Sequence, residues 1–356
     1  MIDWTRSMQQ TYEFYTVDPD SWGDKEKITT IESCSITRDA SVDTLGSASF
    51  DCNDVMDEQY IRIYLRVKQG DENERVCLGT YITQTPTDKF DGRRRNISLD
   101  GYTPLIELKQ NYPSIGYSVR KNTPIMDTAY KLCVENMRAP VLAARTDKNL
   151  YSHFVANSDD TWFTFISALI ANANYSFGLE PEGRVIFEPY IELSSMRPVW
   201  TYSDDNSSIL KPEISNQRDL FDVPNVVEVV YSTDSEIYIS TAVNDDPNSI
   251  TSTVRRGHIV KHRDTSPSIS ENMTGDNAQA YLDIYAEKLL RKLSNVEHEL
   301  TYSHGYCPVR IGDCVLLNYE RAGLTNVRAR VIKQDIDCAT GCTVSETAIY
   351  TTQLWR

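Results

Sequence analysis

The sequence predicts a β-dominated α+β protein, in which two similar antiparallel β-barrels accompany an intervening α+β domain and a helix-containing insertion. Three observations predict this class: short alternating strands at both ends of the chain, helical spacing between them, and a repeated order of strands and loops. We expect the first barrel in residues 1–109 and the α+β domain in residues 110–211. The second barrel is expected in residues 212–356, interrupted by an inserted segment over 235–299.

The first hundred residues have the period-two pattern of half-buried strands. The clearest case is "YIRIYLRV" from Tyr60 to Val67. Successive strand residues point to opposite faces of a sheet, so every second side chain shares a face. One face carries Ile61, Ile63, Leu65 and Val67, and the other carries Arg62 and Arg66. Polar turns separate this strand from its neighbours, as expected of an antiparallel barrel or sandwich.

Three later segments have the spacing of amphipathic helices. The segment Thr123–Met137 has a proline near its start, and Ser158–Asn174 opens on Ser-Asp-Asp, which suits a helix N-terminus. The longest candidate runs from Gly275 to Glu299. Its expected apolar stripe consists of Ala278, Tyr281, Leu282, Tyr285, Leu289, Leu293 and Val296.

The first and last β-blocks repeat one order of elements. The first block reads "SASFDC", "YIRIYLRV", "ERVCLGTYITQ" and "NISLDGY", and the last reads "ELTYSH", "DCVLLNYE", "VRARVIKQDID" and "TVSETAIY". A six-residue loop separates the second strand from the third in each block, "KQGDEN" in one and "RAGLTN" in the other. Residue identity is low, so the repeat is one of pattern. Two like barrels in one chain can occupy quasi-equivalent positions in a ring.

Composition and charge exclude several classes of protein. The formal net charge is −15, which argues against binding a nucleic-acid backbone. No apolar run is long enough to span a membrane, so no membrane anchor is expected. The N-terminus lacks the basic start and apolar block of a signal peptide, which predicts folding in a reducing cytoplasm. The eight cysteines are therefore expected to be buried free thiols.

Histidine and cysteine patterns give no strong metal site. His258 and His262 lie four residues apart in a β-rich, basic setting, and strand geometry would separate them by about 13 Å. A zinc site would need Cys307 or Cys314 to converge with His304 on the pair Cys338 and Cys342. The close spacing of that pair leaves a disulfide or a ligand pair open.

Enzyme motifs are absent from the sequence. It contains no Gly-x-Ser-x-Gly elbow, no His-Glu-x-x-His helix and no phosphate-cradling glycine loop. We therefore predict no catalytic residues, no metal and no cofactor.

The C-terminal third resembles the baseplate hub, or tail hub, proteins of tailed phages and of phage-derived contractile injection systems. A long helix and a strand precede "CPVRIGDCVLL", which leads to "VRARVIKQDID". In that family a Pro-x-x-x-Gly-Asp-x-Val turn enters a strand of the second barrel. Pro308, Gly312, Asp313 and Val315 match this pattern. "ITRDASVDTLGSASFDC" also looks like the opening strands of such hubs, so the resemblance extends over nearly the whole chain.

The resemblance implies a structural virion protein of the tail baseplate or tip, assembled in the cytoplasm of a bacterial host. It implies a homotrimeric ring that adapts a hexameric tail tube to a trimeric spike or tip. The implied partners are the tail tube protein, distal tail or baseplate proteins, the spike or tip protein and the tape measure protein. DNA would pass through the ring without specific binding.

Two alternatives from other classes stay open at this point. One is a tail-associated cell-wall hydrolase, either a peptidase or a glycosidase, and the other is a carbohydrate-binding tail-tip module. The sequence does not distinguish a contractile tail from a non-contractile one, or an intact phage from a phage-derived particle. It also does not indicate the host or the residues of each interface.

Overall fold

A computed structural model describes residues 2–54, 56–90, 92–93, 95–232, 236–265, 267 and 275–353. Strands make up 46% of the described residues and helices 16%, which confirms the predicted β-dominated α+β class. Among the described residues, no helix is both long and apolar enough to cross a membrane.

Seven strands form the first part of the chain. They are β1 (Gln9–Val17), β2 (Asp24–Ile28), β3 (Ile31–Asp39), β4 (Gly46–Cys52), β5 (Tyr60–Gln69), β6 (Glu72–Phe90) and β7 (Arg95–Tyr102). The predicted inward face of β5 is confirmed, since its four aliphatic side chains are fully buried. Arg62 on the opposite face is buried as well. Its guanidinium bonds to the Asp24 carboxylate at 2.8 Å and to the Glu182 carbonyl at 2.9 Å.

A helical core follows these strands. Its elements are α1 (Ile106–Lys109), β8 (Ser118–Val119), α2 (Ile125–Asn136), β9 (Phe154–Val155), α3 (Trp162–Ala171), β10 (Tyr175–Leu179) and β11 (Val185–Pro189). The helices predicted from Thr123 and Ser158 are present but shorter. The Thr161 hydroxyl accepts from the Thr164 amide and so caps α3, because a capped start satisfies an otherwise free backbone donor. One apolar cluster from Leu105 to Phe187 unites these elements.

The last part of the chain contains nine strands and two helices. They are β12 (Trp200–Ser203), β13 (Leu210–Arg218), β14 (Val226–Ser232), β15 (Ile237–Val243), α4 (Thr253–Arg256), β16 (Lys261–Asp264), α5 (Gly275–Leu293), β17 (Asn295–Gly305), β18 (Cys314–Tyr319), β19 (Leu324–Asp337) and β20 (Thr343–Gln353). The predicted long helix therefore ends at Leu293. The residues up to Glu299, expected to be helical, belong instead to β17.

The two sequence blocks have the same strand pairing. In the first block the hydrogen-bonded order is β3-β4-β7-β6-β5-β1, and in the second it is β13-β17-β20-β19-β18-β12. Phe50 pairs with Leu99 across β4 and β7, and the Tyr302 hydroxyl donates to the Glu346 carboxylate across β17 and β20. These buried pairs occupy equivalent places. One difference is that β1 runs antiparallel to β5, whereas β12 runs parallel to β18.

The two blocks are joined by one strand pair into a 13-stranded sheet. Strand β3 of the first block runs antiparallel to β19 of the second, with Thr37 opposite Asp335 and Ile36 opposite Ile336. The Thr37 hydroxyl also donates to the Asp335 carboxylate at 2.7 Å. An inward apolar pair and an outward polar pair thus fix the register of this joint, because a slip by one residue would exchange the two faces.

The segment between β13 and β17 has its own small core. Strands β15 and β16 flank β14, and α5 packs against this sheet. The buried residues of the cluster are Val227, Val229, Ala242, Leu282, Ala286 and Leu290. The stripe expected on α5 is therefore correct for Ala278 and Leu282, which are buried, and for Tyr285, Leu289 and Leu293, which are partly buried against the cluster. It is wrong for Tyr281, which is 38% exposed, and Val296 lies on β17. The fully buried face of α5 is narrow, because the helix packs against a sheet of only three strands. It consists of Ala278, Leu282, Ala286 and Leu290.

By compactness the chain divides into two units. One comprises Met1–Ile214 and Thr301–Ala348, and the other comprises Ser215–Leu300 and Ile349–Arg356. This division falls within β13, β17 and β20. The three-domain division with boundaries at 109 and 211 stays a prediction.

Candidate functional site

The turn predicted from the sequence lies between β17 and β18. Gly312 has φ +88°, a conformation that costs a residue with a side chain free energy. Its amide donates to the Val331 carbonyl at 2.8 Å, and the Val331 amide returns a bond to the Asp313 carbonyl at 2.9 Å. The Asp313 carboxylate closes the turn by accepting from the Arg310 amide at 2.8 Å. Pro308 is exposed on the approach to this turn.

The strand after the turn, β18, points Val315 and Leu317 inward. Val315 and Leu317 are fully buried, whereas Leu316 is half-buried. Val315 lies opposite Trp200 on β12 and Ala329 on β19. The four matched residues thus form one continuous turn and strand entry. Their role as a hub motif stays a prediction.

A cleft of about 560 Å³ opens beside the turn. Its lining includes Gly312 and Asp313, together with Glu188, Arg310 and Arg330. Burial raises the pKa of the Glu188 carboxyl, and the nearby Asp313 charge raises it further. Burial also raises the pKa of Asp313, against the lowering effect of the bond from the Arg310 backbone. Two acids and two guanidinium groups therefore share the polar part of the cleft.

A buried polar network lies within the second block, centred on Glu346. This carboxylate is fully buried and accepts from the Tyr302 hydroxyl. It also accepts from the Gln334 amide at 2.7 Å and from the Tyr202 hydroxyl at 3.4 Å. His304 Nε2 lies 3.4 Å from its second oxygen. Three strands, β12, β17 and β19, thus supply partner side chains to a carboxylate carried by the fourth, β20.

The network extends through Gln334 to the first block. The Gln334 amide nitrogen also donates to the Val309 carbonyl at 3.0 Å, beside the predicted turn. Its amide oxygen accepts from Arg38 at 2.9 Å, and Arg38 donates to the Leu78 carbonyl at 2.6 Å. Arg38 lies on β3, so polar side chains reinforce the backbone joint between the blocks. Leaving any of these buried groups without its partner would cost stability.

His304 is held as an imidazolium in this network. Burial disfavours its charge, but bonds to Cys307 and Glu346 outweigh that effect and raise its pKa to about 10. Nδ1 lies 2.7 Å from the Gly305 carbonyl and Nε2 lies 3.0 Å from the Tyr202 hydroxyl. Burial and the Glu346 charge raise the pKa of Tyr202 and of Tyr302. At neutral pH His304 is therefore an imidazolium, next to the Glu346 side chain and two neutral phenols.

The structure separates the candidate metal-binding residues of the sequence. Cys307 does approach His304, with Sγ 3.9 Å from Nδ1. Each of the eight cysteines is a free thiol, including Cys338 and Cys342. His258 follows α4 and His262 lies on β16, and both are exposed. Within the described ranges, no group of three or more histidine, cysteine or acidic side chains could hold a metal ion.

The sequence reasoning missed the residues at the centre of the network. Glu346 and Gln334 read as ordinary polar residues of alternating strands. One signal was available, since "TVSETAIY" places a glutamate on the inward face between Val344 and Ala348, both buried. The equivalent residue of the first block is Leu99. A charge at an inward strand position predicts a buried partner.

Comparisons with known proteins were made on sequence and on structure. No family model matches the chain, and no curated protein matches it. Among solved structures, the tail protein from Neisseria meningitidis MC58 has a TM-score of 0.62 at 15% identity and covers 98% of both chains. The 43 kDa tail protein of prophage MuSo2 from Shewanella oneidensis has a TM-score of 0.58 at 12% identity, over 95% of this chain and 97% of that chain.

A third structure comes from a secretion system. It is the Escherichia coli c3393 protein, described as a component of the type VI secretion system that is structurally similar to the T4 phage tail proteins gp27 and gp5. Its TM-score is 0.50 at 9% identity, over 92% of this chain and 75% of that chain. The fold-level resemblance to phage tail proteins that the sequence indicated is therefore confirmed.

Proposed function

We propose that this chain, which has the fold of phage tail proteins, is a structural protein of a phage tail. Its place would be the baseplate or tail-tip hub of a virion, assembled in the cytoplasm of the bacterial host. The observation that carries the proposal is the match to the Neisseria tail protein over 98% of both chains. So complete a match leaves no part of this chain over for a separate catalytic domain.

The internal repeat supports a role as a symmetry adaptor. Each chain carries two blocks with one pairing order. Three chains in a ring would present six similar blocks, which suit a hexameric tail tube. The opposite face would keep threefold symmetry and receive a trimeric spike or tip. The proposed partners are the tube protein, distal tail or baseplate proteins, the spike or tip protein and the tape measure protein.

The charge of the chain is compatible with a DNA channel. A net charge of −15 would give a ring that repels the phosphate backbone, so that DNA passes without adhering. A neutral or positive potential along the channel of the assembled ring would contradict this point.

We do not propose an enzymatic role. Two of the matching structures, with TM-scores of 0.62 and 0.58, are named as tail proteins. His304 and Glu346 are fully buried, out of reach of a substrate. Glu188 and Asp313 in the cleft are the acids that a hydrolase would have to use. Both side chains also have structural roles. The Glu188 side chain packs against Gly178, and the Asp313 carboxylate closes its own turn.

Co-sedimentation with assembled tail tubes tests the proposal. The purified chain is expected to pellet with tubes of the tube protein from the same phage and to leave bacterial cell wall intact in a clearing gel. Clearing that is lost in a Glu188→Gln, Asp313→Asn variant would favour the hydrolase instead. Binding to a glycan array without binding to tubes would favour the carbohydrate-binding module.

A further inference from the structure

Two strand edges of this chain are exposed. Strand β13 is the end of the hydrogen-bonded order in the sheet, and most of its side chains are exposed. Strand β6 pairs with β5 up to Ile82, and the Thr83 amide donates to the Gln59 carbonyl just before β5. From Gln84 to Phe90 the described strand pairs of β6 are with β7. Pro86 and Phe90 in that part of β6 are exposed. Unpaired edges of this length are templates for another strand.

Each of these two strands has an equivalent in the other block, and the two equivalents pair with each other within the chain. Strand β3 is the equivalent of β13, and β19 is the equivalent of β6. Within the chain, β3 and β19 pair antiparallel and join the first block to the second. Strands β13 and β6 therefore occupy the same places in their blocks as the two strands of this joint. The difference is that β13 belongs to the second block and β6 to the first.

The equivalence fixes the register on β13. Gly46 and His298 stand four residues before the equivalent Phe50 and Tyr302. Arg38 pairs with Gly46. The Gly305 amide donates to the Ile209 carbonyl at 3.2 Å, a register that places Asn216 opposite His298, and the side chains of these two residues bond at 3.1 Å. Arg38 and Asn216 are thus equivalent.

The register on β6 follows from the ends of the pairing. Along β6, the last residue paired with β5 is Ile82. Along β19, the last residue paired with β18 is Arg330. Strand β6 has a bulge between Gln84 and Thr87. Counting five residues on from each, with a bulge taken to lie at the same place in β19, makes Thr87 the equivalent of Asp335. Thr37 lies opposite Asp335 within the chain, so Ser215, its equivalent on β13, would lie opposite Thr87 of another copy.

The charges across this seam are complementary. Ser35 lies opposite Asp337 within the chain, and the equivalent residues are Glu213 and Lys89. Both of these side chains are exposed. An opposite-charge pair directly across two strands stabilises antiparallel pairing, whereas like charges destabilise it.

We propose that β13 of one copy adds as an antiparallel strand to the Gln84–Phe90 part of β6 in the next copy, with Ser215 opposite Thr87 and Glu213 opposite Lys89. The contact joins two different surfaces, and such head-to-tail contacts generate closed rings or open filaments. The inference rests on the proposed trimeric ring for closure after three copies. All six blocks of the ring would then be joined by the same strand pair.

Cysteine cross-linking under mild oxidation tests the seam. A mixture of Ser215→Cys chains with Thr87→Cys chains is expected to give a covalent dimer on a non-reducing gel, whereas each variant alone gives none. The double variant is expected to give a covalent trimer. Thr37→Cys with Asp335→Cys is the matched control, because it repeats the same pair within one chain and should close without changing the mass.

Absence of the mixed dimer, when the control pair closes, would overturn the seam. A trimer in solution without that cross-link would refute the seam and leave the proposed ring standing. A monomer at the highest soluble concentration, both alone and in the presence of the tube protein, would overturn both.

Charge reversal gives a second test that needs no oxidation. Lys89→Glu is expected to weaken association about two- to fivefold at each seam, and adding Glu213→Lys should restore it. If Lys89→Glu leaves association unchanged, or if the second change weakens it further, the proposed pairing is wrong.

Discussion

Replacing Glu346 by glutamine removes the charge at the centre of the buried network and keeps the shape of the side chain. The pKa of His304 is about 10 in the folded protein, against about 6.5 for free histidine. One pKa unit corresponds to about 1.4 kcal/mol, so the raised pKa represents about 4 kcal/mol of stability at pH 7. Breaking a buried ion pair typically costs about 3–5 kcal/mol. Cys307 contributes to the raised pKa as well as Glu346, so we expect Glu346→Gln to lose about 3 kcal/mol, the lower end of that range.

The pH dependence carries a definite sign. The folded pKa of His304 lies above the unfolded value, so the stabilisation is complete below about pH 6.5 and is lost as the pH rises towards 10. The wild-type protein should lose about 1.4 kcal/mol for each pH unit within that window. The Glu346→Gln variant should have a much flatter profile there.

Urea unfolding followed by tryptophan fluorescence between pH 6 and pH 10 measures both effects. Glu74→Gln is the matched control, because Glu74 is an exposed strand residue and should change stability by less than about 0.5 kcal/mol. The reasoning fails if Glu346→Gln unfolds within about 1 kcal/mol of the wild type with an unchanged pH profile.

Two further substitutions test the turn and the insertion. Gly312→Ala should lower the free energy of unfolding in urea by about 1–2 kcal/mol, because Gly312 has φ +88°. The control Gly305→Ala should be nearly neutral, because Gly305 has no positive φ and open space for a methyl group. Equal costs would contradict the turn geometry. Leu282→Ala should lower the free energy of unfolding by about 2–5 kcal/mol and speed hydrogen exchange in α5. The control Ile284→Ala should do neither, because Ile284 is 54% exposed. Similar exchange in both variants would contradict the packing of α5.

Local patterns predicted much of the fold. Alternation fixed the faces of β5, and the order of strands and loops identified two blocks whose pairing is the same. Helix ends were less certain, because both tertiary packing and capping decide them. The helix expected from Gly275 to Glu299 ends at Leu293, since the following residues pair as β17. Sequence spacing alone could not distinguish a helical turn from the start of a strand whose partner is distant.

The centre of the site was largely beyond sequence reasoning. Gly312 and Asp313 could be found because a tight turn needs particular residue types. Glu346 contacts residues 12 to 144 positions away, and no local pattern brings such residues together. The repeat gave an indirect sign, because a glutamate stands where the first block has Leu99.

The mass of the purified chain in solution tests the central claim most directly. Light scattering should give about 120 kDa for the chain alone, three times the chain mass of 40.6 kDa, or, if the ring forms only on the tube protein, a complex that contains three copies of this chain. A mass of one chain under both conditions would contradict the account, because a symmetry adaptor with six equivalent blocks cannot be built from a monomer.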